Sequence, residues 1–238
     1  MTILVLGDST AFGYELSDLP KESIDVHGNG YYDNQHNYKT VQPSQLAWPA
    51  LLGKHLNIDI ENLSIVGGSN ERMYRLAVEH TSKKSYSLVI CAWTGLGRLD
   101  LQHNGIDIAV SSQCCFQFDW IKTYTAQHYD LLFDTKKWLV NLITLQSYFK
   151  HCGQPYLFLQ SHGTTRGYRE LTHLSRRIDT DNCMYWDTNM YARTEDHPRG
   201  PQGHMLEQSH QIVAQELGQL IKDRFLVRRA DGCLVYSN

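Results

Sequence analysis

Short apolar runs alternate along the chain with longer segments in which apolar residues recur every three or four positions. An apolar run bounded by polar or turn residues is typical of a strand that is buried on both faces of a sheet. The pattern therefore predicts strands at residues 3–6, 58–66, 88–93, 156–160 and 183–186.

The segments between these runs have helical spacing and predict helices over residues 45–56, 70–80, 135–151 and 202–225. Ser44 is the expected cap of the first helix, and Pro49 lies early enough in it to be tolerated. Regular alternation of strand and helix predicts a parallel sheet covered by helices on both faces. Segments 17–43 and 99–134 break the alternation, and such long insertions are expected to wall a cleft.

Composition narrows the function classes. The 238 residues suit a single domain with insertions. Lys plus Arg number 22 and Asp plus Glu number 25, a net charge of −3 without charged blocks, which argues against nucleic acid or an anionic membrane as a partner. The first residues lack a signal-peptide pattern, and no apolar run reaches about 18 residues. A cytoplasmic protein without membrane insertion is expected.

The first predicted strand runs directly into a group of polar residues, Gly7, Asp8, Ser9 and Thr10. Glycine permits a sharp turn, and the following side chains suit the start of a helix. A capped helix is one interpretation of this turn. The other is a nucleophilic Ser9 at the carboxyl edge of the sheet, where open α/β proteins bind their ligands.

A nucleophilic serine requires a base that the fold brings to the same edge of the sheet. His197 follows the last predicted strand in the sequence TEDHPRGPQGHMLEQ, and two acids precede it. That loop leaves from the edge at which Ser9 lies, so His197 is the expected base. His204 falls at the start of the predicted final helix, where a capping or packing role is expected.

The sequence NLSIVGGSNERM supplies a second glycine turn after a predicted strand. Gly67 can turn a bare backbone N–H toward the space beside Ser9, since no side chain blocks a close approach. An ordinary turn that leads into a helix capped near Asn70 is the alternative.

Together these motifs resemble the SGNH, or GDSL-type, hydrolase family. GDSTAFG is similar to the family's first block, NLSIVGGSN to its second and DHPRGPQGH to its fifth. The resemblance extends from residue 3 to about residue 222 and includes a form found in phages and marine bacteria. It implies a three-layer α/β/α sandwich with a flavodoxin-like parallel sheet of about five strands. It also implies Ser9 as nucleophile, Gly67 as an oxyanion donor, and no metal or cofactor.

The sequence departs from the family pattern at two positions. The third block normally supplies an oxyanion-binding Asn, whereas VICAWTGLGRLD has none, which leaves Arg98 or Asn70 as substitutes. The fifth block normally has Asp three residues before the histidine, and Thr194 stands there. Glu195, Asp196 or a backbone carbonyl then remains to orient His197, and Glu195 is preferred because in an extended loop a residue two positions away points to the same side.

The expected reaction is ester hydrolysis on a small molecule or a carbohydrate, for which an O-acetyl group is one candidate. Aromatic residues in the two insertions would stack on a sugar ring; they are Tyr31, Tyr32, Tyr38, Phe116, Phe118, Trp120 and Tyr124. The alternative is a binding or virion-associated protein that keeps the fold without turnover.

Overall fold

Five parallel strands form the central sheet in a computed structural model that describes residues 1–19, 41–103, 106–110, 123, 127, 130–162, 168–228 and 234–236. In chain order the described strands are β1 (Thr2–Leu6), β2 (Asp59–Asn62), β3 (Leu88–Trp93), β4 (Leu99–His103), β5 (Ile106–Val110), β6 (Tyr156–Gln160), β7 (Cys183–Met184), β8 (Leu226–Arg228) and β9 (Leu234–Tyr236). The described helices are α1 (Ser9–Phe12), α2 (Trp48–Leu56), α3 (Asn70–Thr81), α4 (Leu131–Cys152), α5 (Thr172–Ser175), α6 (Met190–Arg193) and α7 (Glu207–Arg224).

The strand order in this sheet is β2-β1-β3-β6-β7, and every neighbouring pair is parallel. This is the flavodoxin-like order, with all carboxyl ends at one edge. The predicted fold class, an α/β sandwich with a parallel sheet of five strands, is confirmed. The edge strands β2 and β7 are shorter than predicted.

Two separate cores lie on the two faces of the sheet, because successive residues of a strand point in opposite directions. In β1, Ile3 and Val5 pack with α2 and α7. Leu4 and Leu6 pack on the other face with α3 and α4. Each strand therefore needs apolar residues at consecutive positions, which is the pattern seen in the sequence.

Three predicted helix starts are wrong by three to five residues. The first long helix begins at Trp48 rather than at residue 45, and Ser44 instead donates its hydroxyl to Asp18. The helix predicted from residue 135 begins at Leu131. The last begins at Glu207 rather than at residue 202. This last difference matters for the site, because it leaves residues 202–206 outside the helix.

The two long insertions fall largely outside the described residues. Of segment 17–43, residues 20–40 are not described, and of segment 99–134 the described part includes the antiparallel pair of β4 and β5. The aromatic residues proposed to stack on a sugar also lie outside the described residues. The assignment of the chain to one domain stays a prediction.

Candidate active site

The turn after β1 places Ser9 at the carboxyl edge of the sheet. Asp8 is the N-cap of α1, and its Oδ1 accepts a hydrogen bond from the backbone N of Thr10 at 2.9 Å. Ser9 is the first residue of the helix and is 2% exposed. A Cβ at Gly7 would lie 2.6 Å from the Cβ of Ala11, so the tight turn requires glycine at this position.

Ser9 belongs to a hydrogen-bonded chain of three side chains. The Oγ of Ser9 lies 3.0 Å from Nε2 of His204, and Nδ1 of that ring lies 2.8 Å from Oε2 of Glu15. The His204 side chain is 14% exposed and that of Glu15 is 3% exposed. A hydroxyl, an imidazole and a carboxylate in this order have the geometry of a Ser–His–acid triad.

The Glu15 carboxylate is fixed by the loop that carries the histidine. Its Oε1 accepts from the backbone N of Gln202 at 2.8 Å, and its Oε2 accepts from the backbone N of His204 at 3.1 Å. A Cβ at Gly200 would lie 2.7 Å from the carboxylate, so glycine leaves the space that the acid occupies. Glu15 has a left-handed backbone, with φ of 70°. The loop and the end of α1 are thereby joined beside Ser9.

The electrostatic surroundings of His204 favour the neutral imidazole. Burial lowers the pKa of His204, the carboxylates of Glu15 and Asp8 partly offset this, and the charge of His162 lowers it further. With Nδ1–H donating to Glu15, the lone pair on Nε2 can accept the hydroxyl proton of Ser9. The ring also meets the edge of Tyr14, with centroids 4.9 Å apart.

Asp8 anchors a second polar group next to Ser9. Its Oδ2 accepts from Oγ1 of Thr94 at 2.5 Å and from Nη1 of Arg98 at 3.0 Å. Nε2 of His162 lies 2.9 Å from the same oxygen. Although complete burial raises the pKa of Asp8, the charges of His162 and Arg98 and the hydrogen bonds from His162 and Thr94 hold it well below its usual range. The carboxylate is therefore ionised and acts only as an acceptor.

Gly67 and Arg98, two of the predicted oxyanion residues, lie next to the turn that carries Ser9. Gly67 has φ of +76°, and a Cβ at the adjacent Gly68 would lie 2.9 Å from the carbonyl oxygen of Gly7. The two glycine turns are thus in direct contact. Nη1 of Arg98 donates to the carbonyl of Gly68 at 3.3 Å as well as to Asp8.

Asn70, the other predicted oxyanion residue, is engaged by the backbone at the end of β3. Its Oδ1 accepts from the N of Thr94 at 2.8 Å, and its Nδ2 donates to the carbonyl of the same residue at 3.1 Å. Asn70 therefore ties the start of α3 to the sheet edge.

The contacts predicted for His197, Glu195 and Asp196 need correction. Glu195 and Asp196 are exposed beyond the end of α6, and the backbone N of His197 donates to the carbonyl of Thr194 at 3.1 Å. Thr194 is buried and donates its hydroxyl to Met190. This turn closes α6 instead of supplying the partner of Ser9, and His204 and Glu15 hold the positions expected for the base and the acid.

The sequence interpretation missed His204 because it placed the start of the last helix too early. Gly200 and Gly203 flank a turn, and Gly203 has φ of +85°, which favours glycine. Their spacing was the available signal that His204 belongs to a loop. Glu15 gave no comparable signal, since its partners lie almost 190 positions away in the sequence.

The described residues include neither a metal-binding cluster nor a candidate membrane span. No cluster of three or more His, Cys, Asp or Glu side chains among them is arranged to hold a metal ion. In the same part of the chain, no helix is both long enough and apolar enough to cross a membrane.

Several solved structures share the fold over almost the whole chain. The psychrotrophic esterase EstA from Pseudoalteromonas sp. matches with a TM-score of 0.53 and 15% identity, covering 93% of this chain and 97% of EstA. TesA matches with a TM-score of 0.51 and 14% identity, covering 94% and 99%. A family two carbohydrate esterase from Clostridium thermocellum, solved with cellohexaose, matches at 0.51 and 12% identity, but this chain covers only 63% of it.

These structures are SGNH/GDSL hydrolases, and the protein has the fold of that class. Residues 33–233 match a family of unknown function, DUF6071, and the chain belongs to this family. A comparison with curated proteins gives no match.

Proposed function

We propose that the protein is a serine esterase in which Ser9 is the nucleophile, His204 is the base and Glu15 orients the base. The observation that carries this proposal is the unbroken chain from Ser9 Oγ to His204 Nε2 at 3.0 Å and from His204 Nδ1 to Glu15 at 2.8 Å. A neutral imidazole between a hydroxyl and a carboxylate is the arrangement that activates serine.

The reaction proceeds through two matched proton transfers. Ser9 Oγ attacks the acyl carbon of the ester while Nε2 of His204 takes the hydroxyl proton. The tetrahedral intermediate collapses as Nε2 gives that proton to the leaving alcohol, and the acyl group stays on Ser9. Water then attacks the acyl carbon while Nε2 of His204 takes its proton, and the second intermediate collapses as that proton passes to Ser9 Oγ, which breaks the acyl–Oγ bond and releases the carboxylic acid.

The oxyanion of the intermediate requires hydrogen-bond donors beside Ser9. The backbone N–H of Ser9, at the start of α1, and that of Gly67 are two donors of the kind this charge needs. Arg98 is the third. Its Nη1 is held by Asp8 and Gly68, while Nε and Nη2 have no hydrogen-bond partner among the described residues. We assign to Arg98 the role that an asparagine has in related hydrolases.

The proposed substrate is an ester of a small molecule or a carbohydrate, with O-acetyl esters as the first to be assayed. Two similar structures, EstA and the carbohydrate esterase solved with cellohexaose, are described as esterases. At 15% and 12% identity they support an ester as substrate without selecting the alcohol.

Replacement of the nucleophile tests the reaction. We expect Ser9→Ala to lower kcat/KM for 4-nitrophenyl acetate by at least about 10³-fold. Labelling by a fluorophosphonate should be lost as well. The melting temperature should change little, because the hydroxyl contributes one hydrogen bond, worth about 1 kcal/mol. Ser147→Ala, an exposed serine on α4, is the matched control and should keep both activity and labelling.

Retention of hydrolysis by Ser9→Ala would contradict the assignment of the nucleophile. The alternative, a protein that binds its ligand without turnover, predicts that the wild-type protein neither hydrolyses the ester nor reacts with the fluorophosphonate. The experiment therefore separates an enzyme from a binding protein that has the same fold.

A further inference from the structure

The polar group around Asp8 contains a histidine that the proposed reaction does not use. His162 follows the carboxyl end of β6, and its Nε2 lies 2.9 Å from Asp8 Oδ2 and 3.1 Å from Thr10 Oγ1. Its ring also packs on that of Tyr191, with centroids 4.4 Å apart and an interplanar angle of 32°. These contacts fix the orientation of the imidazole.

The contact with Asp8 determines which nitrogen of His162 is protonated. Asp8 is ionised and can only accept, so Nε2 must carry the proton that it donates. In the neutral ring, Nδ1 is then an acceptor with a free lone pair. No hydrogen-bond partner of Nδ1 occurs among the described residues, and the His162 side chain is 24% exposed. An oriented acceptor thus remains available to a ligand.

This acceptor lies close to the proposed nucleophile. His162 bonds to Asp8 and Thr10, the two residues that flank Ser9 in the chain. It is also near enough to His204 that protonation of His162 would lower the pKa of that base. A molecule whose ester carbon contacts Ser9 would therefore have other groups within reach of His162.

The charges around His162 determine which kind of ligand group can face its Nδ1. A ligand group that faces Nδ1 must be a hydrogen-bond donor, which leaves a hydroxyl group or an amine. An ammonium group would be repelled by the guanidinium of Arg98, which shares Asp8 with His162. A carboxylate would face the ionised Asp8 and would have no proton to donate. A neutral hydroxyl fits both constraints, since it donates to Nδ1 and can accept from Arg98.

We propose that His162 is a specificity-determining residue that accepts a hydrogen bond through Nδ1 from a free hydroxyl on the substrate. The preferred substrate is then an ester whose alcohol part carries a hydroxyl group close to the ester bond. This inference rests on the proposed ester hydrolysis at Ser9 and adds the feature of the alcohol that the site recognises.

A pair of esters that differ only in the methylation of two hydroxyl groups provides the test. The probes are 2,3-dihydroxypropyl acetate and 2,3-dimethoxypropyl acetate, compared by the ratio of their kcat/KM values. Wild-type protein should prefer the dihydroxy ester by about tenfold, the value of one hydrogen bond to a preorganised acceptor. In His162→Phe the ring can still pack on Tyr191 but carries no hydrogen-bond acceptor, and the ratio should fall toward one.

The use of a ratio removes any general loss of activity in the variant. His173→Phe, at an exposed histidine on α5, is the control and should keep the wild-type ratio. If His162→Phe does not fold, a ratio near one in the wild-type protein alone still overturns the proposal.

The failure of this inference is distinguishable from that of the proposed function. Equal ratios in wild-type protein and His162→Phe, with hydrolysis that Ser9→Ala abolishes, would overturn only the role of His162. Preference of the wild-type protein for an ester that bears a carboxylate instead of a hydroxyl would also overturn only the role of His162. Hydrolysis of 4-nitrophenyl acetate that survives in Ser9→Ala would overturn both.

Discussion

Glu15 connects Ser9, the proposed nucleophile, to the loop that carries His204, the proposed base. The residue lies shortly after α1 in a left-handed backbone conformation, with φ of 70°, and its carboxylate contacts both the ring and the backbone of His204. In the family pattern the acid precedes the histidine by three residues, whereas Pro201 stands three residues before His204. In the proposed triad the carboxylate of Glu15, shortly after α1, takes the place of that acid.

Removal of the Glu15 charge should affect rate and pH dependence together. We expect Glu15→Gln to lower kcat for 4-nitrophenyl acetate by about 10²- to 10⁴-fold, because the amide cannot stabilise the imidazolium or fix its tautomer. The carboxylate raises the pKa of His204, so its removal lowers that pKa further. Since His204 must be neutral to act as a base, the acid limb of the kcat/KM profile should move to lower pH.

Glu195→Gln is the control for this experiment. Glu195 is exposed near His197, and its substitution should leave both kcat and the pH profile as in the wild-type protein. Loss of activity in Glu195→Gln with full activity in Glu15→Gln would contradict the assignment of the acid.

The loop before α7 shows where prediction from sequence succeeds and where it stops. The strands were predicted because burial on both faces requires consecutive apolar residues. The start of α7 was predicted five positions too early, at residue 202 instead of Glu207, which put His204 on a helix. The spacing of apolar residues indicates which positions are buried. The contact of Glu15 with the loop before α7, however, joins residues that are far apart in the sequence and forms only when the chain folds. Ser9 was predictable from its turn, and the spacing of Gly200 and Gly203 was a signal for the loop of His204, whereas nothing local indicated Glu15.

Gly200 tests whether the shape of this loop positions the acid. A Cβ at residue 200 would lie 2.7 Å from the Glu15 carboxylate, which is the movable end of a side chain, so Gly200→Ala should displace the acid with little effect on folding. We expect kcat to fall at least about tenfold, since small displacements of a catalytic group are costly. The melting temperature should change by only a few degrees, measured by circular dichroism.

A double substitution shows whether the effect of Gly200→Ala acts through Glu15. In a Glu15→Ala background no carboxylate is left to displace, and adding Gly200→Ala should not lower kcat further. Independent, multiplicative losses would indicate that the loop acts on the site by another route.

Across the whole molecule, one buried histidine joins the two helices that cover the same face of the sheet. Ala47, the N-cap of α2, provides no side-chain hydrogen bond, and Nδ1 of His210 on α7 instead accepts from the N of Trp48 at 3.0 Å. The backbone of Met205, the residue after the proposed base, is near enough to the same ring to raise its pKa. The neutral imidazole therefore ties α2 to α7 close to the loop of the site.

This histidine makes stability depend on pH. Burial lowers the pKa of His210 from 6.5 to about 4. Between these values the unfolded chain binds more protons than the folded protein, so its contribution is complete above pH 6.5 and is lost as pH falls toward 4. The loss is about 3 kcal/mol in the free energy of unfolding.

His210→Asn should reduce this dependence, because the Asn side-chain oxygen can accept from the N of Trp48 but does not titrate. The variant is expected to be less stable at pH 7, where the smaller side chain leaves part of the buried space unfilled, yet to lose less stability between pH 7 and pH 4.5. His204, whose pKa is also lowered, destabilises both proteins over this range and cancels in the comparison. Asp8 has a pKa below the range and does not contribute. Urea unfolding at the two pH values measures the difference, and equal losses in both proteins would show that His210 is not the group responsible.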